Sequence, residues 1–283
     1  MSFLPILLTS CISAILRKSF IVNSMFMETH DADFAEYPSI VFFKRELHLE
    51  VSCLGSLVTE EYILTTAHCV ADIKCRCVNF TGYILSGTLS RTNPNCIDSC
   101  EYRRVGEIHV HGGFYKGSSN SSDDIALVKL MERFSGATGS ESSPLAYERP
   151  YNWDFAISFG FLNDRNKLVD TLQVGIVKVL PFVFCADTRT TNHEKLICLS
   201  SRFTIGGGPI IYEGLIVGLA SFSVENEKYG LIATDILHHS SFIDDYVKVE
   251  NTKRMALSGG RILGIQKKHC WIKITIFLIL SIL

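Results

Sequence analysis

Leu64-Thr65-Thr66-Ala67-His68-Cys69 ends a short apolar run, Ile63 to Thr65, and sets a histidine directly before a cysteine. Outward from it lie Cys53-Leu54-Gly55-Ser56-Leu57-Val58 upstream and Asp123-Asp124-Ile125-Ala126-Leu127-Val128-Lys129-Leu130 downstream. From about Asp31 to Val249 the same texture recurs: short runs rich in Val, Ile, Leu and Phe, broken by Gly, Asn, Ser and Asp. Ser39 to Phe43, Gly106 to Val110, Leu172 to Val179 and Leu215 to Phe222 are of this kind. Many short strands with turn signals between them and no sustained helical period predict an all-β barrel or sandwich. A helix is expected only near the end, where Ser241 to Val249 has Ser and Asp early and apolar residues on one face.

With 283 residues, 47% hydrophobic and 20% charged, the chain is long enough for one large two-lobed domain or two ordinary ones. A net charge of -2 gives no general attraction to nucleic acid or to an acidic surface. Ten cysteines suit maturation in an oxidising compartment. No two Cys-x-x-Cys pairs stand at zinc-finger spacing, so neither a metal nor another cofactor is expected.

Both ends point to the secretory pathway. Phe3 to Leu16 is an apolar run too short to span a bilayer and right for the hydrophobic part of a signal peptide, assigned to residues 1–16. A short segment, 17–30, precedes a domain over 31–250; a polar linker, 251–270, leads to an apolar tail, 271–283. Ser258, Gly259 and Gly260, a basic spacer and that tail form the pattern of a GPI-anchor signal, which Lys273 interrupts. The alternative is a tail that associates weakly with a membrane or a partner.

Thr204-Ile205-Gly206-Gly207-Gly208-Pro209 by itself reads as a tight turn between two strands. In the company of the motifs around His68 and Asp124 it resembles the Gly-Asp-Ser-Gly-Gly-Pro signature of the trypsin and chymotrypsin family, and the resemblance spans about 220 residues in that family's order. It implies two six-stranded antiparallel β-barrels with a cleft between them and a short C-terminal helix. His68 becomes the general base, Asp124 its orienting carboxylate, and Gly206 falls in the position of the nucleophilic serine. The family's bridges pair Cys53 with Cys69 and Cys185 with Cys198. Closing the first loop, about 15 residues, is worth about 3 kcal/mol in the chain-entropy model. Ser200 and Ser223 fall at the substrate pocket, where no carboxylate is present to bind Arg or Lys.

Several departures accumulate. A triad without its nucleophile loses on the order of a millionfold in rate. Ile205 replaces the aspartate that pairs with the freed amino terminus in active members, and that terminus itself, Phe26-Met27-Glu28-Thr29, does not match. Thr204 puts a β-branched side chain where the family's oxyanion hole uses glycine. Arg202 replaces a further cysteine. Ser200, Ser201 and Ser221 are nearby in sequence, but nothing in their spacing brings a hydroxyl to His68.

Outside these motifs, Cys75, Cys77, Cys96 and Cys100 suggest extra disulfides joining the 75–77 segment to the 96–100 segment. His109 and His111 share one face of a strand, as a metal pair would, yet no third ligand is evident. His238 and His239 read as surface residues. Asn79-Phe80-Thr81 and Asn120-Ser121-Ser122 are N-glycosylation sequons. The expected function is a catalytically inactive serine protease homologue, secreted or tethered at the cell surface. It would engage a protein partner, a protease or a protease substrate, and regulate an extracellular protease cascade. The rival expectation is an active serine endopeptidase.

Overall fold

In the computed structural model of the chain, the described residues are 29–46, 51–92, 100–116, 122–135, 139–162, 167–185, 192–201, 205–223 and 230–247. The signal, linker and tail segments, residues 26–28, Cys96, Asn120 and residues 202–204 lie outside them.

The first strand, β1 (Thr29–Asp31), belongs to the second half of the fold. The chain then builds β2 (Ile40–Arg45), β3 (Val51–Leu57) and β4 (Tyr62–Thr65). A single helical turn, α1 (Ala67–Val70), follows and leads into a small hairpin of β5 (Ala71–Asp72) and β6 (Cys77–Val78). β7 (Gly82–Ser86), β8 (Glu101–Val110) and β9 (Ala126–Leu130) complete a closed six-stranded barrel in the order β2-β3-β4-β9-β8-β7.

The second half contains β10 (Phe155–Leu162), β11 (Leu168–Leu180), β12 (Leu196–Ser200), β13 (Pro209–Tyr212), β14 (Leu215–Ser223) and β15 (Gly230–Asp235). They pair in the order β11-β10-β13-β14-β15-β12, and the β11–β12 contact closes the ring, with β1 added outside β11. The closing helix, α2 (Ser240–Tyr246), is a residue or more shorter at its end than the pattern suggested. Two antiparallel six-stranded barrels with a short C-terminal helix are therefore the architecture, as the resemblance implied.

Strand β2 explains why Ile-Val-Phe-Phe can be apolar throughout rather than alternating. Val41 and Phe43 fill the first barrel with Ile63, Ile84 and Val128. Ile40 and Phe42 point the other way, into a cluster with Leu54, Phe159, Phe161 and Leu172 that is shared by both barrels. A strand alternates its side chains between two faces, so a strand with apolar matter on both must be apolar at every position. The second barrel has its own core, including Val177, Leu199, Ile210, Val217 and Leu231.

Cys53–Cys69 and Cys185–Cys198 are bridged as the resemblance implied. The expected cross-link between the 75–77 and 96–100 segments is not what Cys75 and Cys77 make. They bridge each other, because the turn between β5 and β6, with Arg76 in the left-handed region, folds them together. Cys100 is also disulfide-bonded.

Candidate functional site

β4 and β9 pair side by side, Thr65 opposite Ala126. This register sets the residues just after one strand and just before the other next to each other, and so joins His68 to Asp124. The His68 Nδ1 atom lies 2.7 Å from Asp124 Oδ2, and the His68 backbone N–H donates to Asp124 Oδ1 at 2.9 Å. A third donor, the Ser221 hydroxyl from β14, also reaches Asp124 Oδ2. Thr234 Oγ1 donates to the Asp124 carbonyl at 3.1 Å. The carboxylate is buried while the imidazole keeps 39% of its side chain exposed toward the cleft.

These contacts set the charges. Burial pushes the Asp124 carboxyl up, but the His68 ring and the hydrogen bonds from His68 and Ser221 hold it below the usual carboxylate range. Burial alone would depress the imidazole; the charge and hydrogen bond of Asp124 outweigh that and raise it. An imidazole held this way by a buried carboxylate has the geometry that proton abstraction needs.

Across the ring stands Gly206. A β-carbon built on it would lie 2.3 Å from His68 Nε2 and 2.9 Å from Cε1, far inside contact distance. The remaining polar neighbour of Nε2 among the described residues is Cys69 Sγ at 3.7 Å, a bridged sulfur with no proton to give. The glycine's backbone is fixed from the first barrel, with Leu54 N–H donating to its carbonyl at 2.9 Å. Its neighbour Ile205 packs its side chain against the cluster shared by the two barrels.

A histidine, a buried aspartate and a glycine turn, brought together in that order between two six-stranded barrels, agree with the trypsin family model, which matches residues 26–243. The chain belongs to the trypsin family. It is 23% identical over 230 residues to mouse (Mus musculus) chymase, covering 77% of this chain and 87% of that protein. It is 23% identical over 242 residues to a trypsin of Phaedon cochleariae, covering 78% and 87% respectively. Two solved structures share the fold. Neuropsin, a serine protease expressed in the limbic system of mouse brain, has a TM-score of 0.64 at 18% identity, covering 77% of this chain and 98% of that one. Human heparin binding protein has a TM-score of 0.62 at 17% identity, covering 78% and 96%.

Within this trypsin-family frame, Ser200 is buried and its hydroxyl accepts the Lys178 backbone N–H at 3.0 Å. Ser223 is exposed at the end of β14. The hydroxyl of Ser221 is turned to the carboxylate behind the ring, so neither it nor Ser200 bonds to His68. Thr204 and Arg202 lie outside the described residues.

A second cluster went unread in the sequence. Asp123 turns its carboxylate away from the His68 pair, where Lys195 Nζ approaches Oδ1 at 2.8 Å, His239 Nε2 at 3.0 Å and His111 Nδ1 at 3.7 Å. Burial raises the Asp123 carboxyl, but the contacts with Lys195 and His239 and the charges of His111 and Lys195 outweigh it and leave it lowered. His239 is thus not a surface residue: it is 3% exposed, while His238 beside it is exposed. Its burial follows from the turn into α2, which tucks it between Asp235 and Asp123. His109 and His111 do not act as a pair. His109 stacks on Tyr246 at 4.0 Å, and His111 alone faces the cluster. The Asp123-Asp124 doublet was the available signal, since adjacent residues at a strand entry face opposite sides.

Proposed function

We propose that this trypsin-family protein is a catalytically inactive homologue, a binding or regulatory module that acts outside the cell on a protease or a protease substrate. One distance supports it most: 2.3 Å between His68 Nε2 and a hypothetical Gly206 β-carbon. The imidazole stands in the space a serine side chain would need, and among the described residues the acceptor of the proton has no donor. Without the hydroxyl there is no acyl intermediate, and the residual base contributes little. The cysteines held in disulfides agree with secretion. Human heparin binding protein, which shares the fold, is named for a ligand it binds rather than for a bond it cleaves.

The second reading, an active endopeptidase, draws on the ordered His68–Asp124 pair with Ser221 behind it. The two separate on incubation of the purified protein with a fluorophosphonate probe and a panel of peptide substrates. The expected result is neither labelling nor turnover. Covalent labelling that vanishes in His68→Ala would overturn the inactive reading.

A further inference from the structure

The contact between His239 and Asp123 contains a puzzle of protons. His239 Nδ1 lies 2.7 Å from the Asp235 carbonyl oxygen, which can only accept, so Nδ1 carries a hydrogen. In the neutral ring that leaves Nε2 with a lone pair, and Nε2 faces the carboxylate oxygen of Asp123 at 3.0 Å. Two electron-rich atoms at that distance require a cation between them, a proton or a metal ion.

His111 adds a third donor from a separate loop. Its Nδ1 accepts the Gly113 N–H at 3.2 Å and lies 3.7 Å from the same oxygen, so its one lone pair points into the cluster and an ion would take it in place of the amide. The three ligand atoms all lie within 4.8 Å of one another. Tetrahedral zinc with bonds of about 2.1 Å holds its ligand atoms roughly 3.4 Å apart, so small side-chain adjustments suffice. The surroundings are built closely. A β-carbon on Gly113 would stand 2.4 Å from Asp123 Oδ2, so only glycine lets the 111–113 loop close over the carboxylate. Phe242 sets its edge against the His111 ring at 5.2 Å.

We propose that His111, Asp123 and His239 form a binding site for a divalent ion of the zinc class, with a fourth position left for water. Two imidazoles and one carboxylate suit zinc and its transition-metal neighbours and disfavour calcium and magnesium, which take oxygen ligands. The Asp235 carbonyl is the outer partner that fixes the His239 tautomer, as such partners do for metal-bound histidines. Lys195 is the competitor. Its ammonium lies 2.8 Å from Asp123 Oδ1 and must swing outward when the ion enters. The site is separate from His68, because Asp123 and Asp124 turn their carboxylates to opposite sides.

The test is titration of the untagged full-length protein with Zn2+ alone, read by calorimetry and by the shift in Tm. Saturable binding of one ion and a rise in Tm are expected. His111→Gln, half-buried and able to fold, should weaken binding by at least ~10-fold, and His239→Gln should abolish it. His238→Gln, next to the site but outside it, should bind like the unmodified chain. Lys195→Ala should tighten binding, since a neighbouring positive charge is removed. A purely structural role for Lys195 predicts no such gain. No binding at millimolar Zn2+, or binding that survives both His111→Gln and His239→Gln, overturns the site.

Discussion

His68 Nε2 lies 2.3 Å from where a β-carbon on Gly206 would stand, so histidine and glycine share a space that cannot hold a histidine and a serine as they now sit. Introducing a hydroxyl at position 206 therefore also demands that the ring retreat, which would disturb its 2.7 Å contact with Asp124.

Gly206→Ser is expected to leave the protein unreactive toward the fluorophosphonate probe and to destabilise it by about 1–3 kcal/mol through overpacking. Thermal unfolding with probe labelling measures both. Efficient labelling with an unchanged Tm would mean that the ring moves aside at no cost.

Ile205→Asp should be worse, at roughly 2–4 kcal/mol. It removes apolar contact with the cluster around Leu54 and Phe159 and puts a carboxylate against it. Combined with Gly206→Ser it should still yield little peptide hydrolysis. Urea unfolding and a substrate assay on the double variant decide the matter, and robust turnover would point to a cleft already ordered.

The His68 ring should titrate above the ordinary histidine value of about 6.5, because Asp124 favours its charged form. The folded pKa is raised above the unfolded one. The stabilisation is thus fully present below about pH 6.5 and is lost as pH rises through the folded value. At the acid end the sign reverses. Asp124 is lowered, so its contribution holds above the unfolded carboxylate value of about 3.9 and disappears as pH falls through the folded one. NMR titration of the ring proton, with Asp124→Asn as reference, checks the first half; an unshifted His68 would refute it.

The disulfides should differ in worth. Cys53–Cys69 closes 16 residues and should contribute about 3 kcal/mol, whereas Cys75–Cys77, two residues apart on an exposed turn, should contribute on the order of 1–2 kcal/mol. Paired Cys→Ser variants compared by denaturant midpoint give the ranking, and equal losses would contradict it.

Ser158, on β10, is fully buried and its hydroxyl has no hydrogen-bond partner among the described residues. Ser158→Ala should stabilise the fold by about 1 kcal/mol, a rise of about 2–4 °C in Tm for a chain of this size. A fall in Tm would reveal a partner for the hydroxyl.

The all-β class was legible because strands that bury one face or two leave short apolar runs between turn residues, and the runs at Leu172 to Val179 and Leu215 to Phe222 fall within β11 and β14. The pairing of Cys53 with Cys69 and Cys185 with Cys198, and the joining of His68 to Asp124, followed from what the family resemblance carried by those motifs implied. Cys75 with Cys77 did not, because a bridge inside one tight turn depends on a backbone angle at Arg76 that no spacing announces. Nor did His239: its burial is set by the turn into α2, and its neighbours Asp123 and His111 are more than a hundred residues away in the chain. By itself the sequence determined what is local or periodic: the strands, the glycine at position 206 and the absence of a hydroxyl there. Only the tertiary structure decided that the imidazole fills that gap and that three distant side chains converge on one oxygen. Such contacts arise from the closing of barrels, and closure brings together residues whose separation along the chain carries no trace of it.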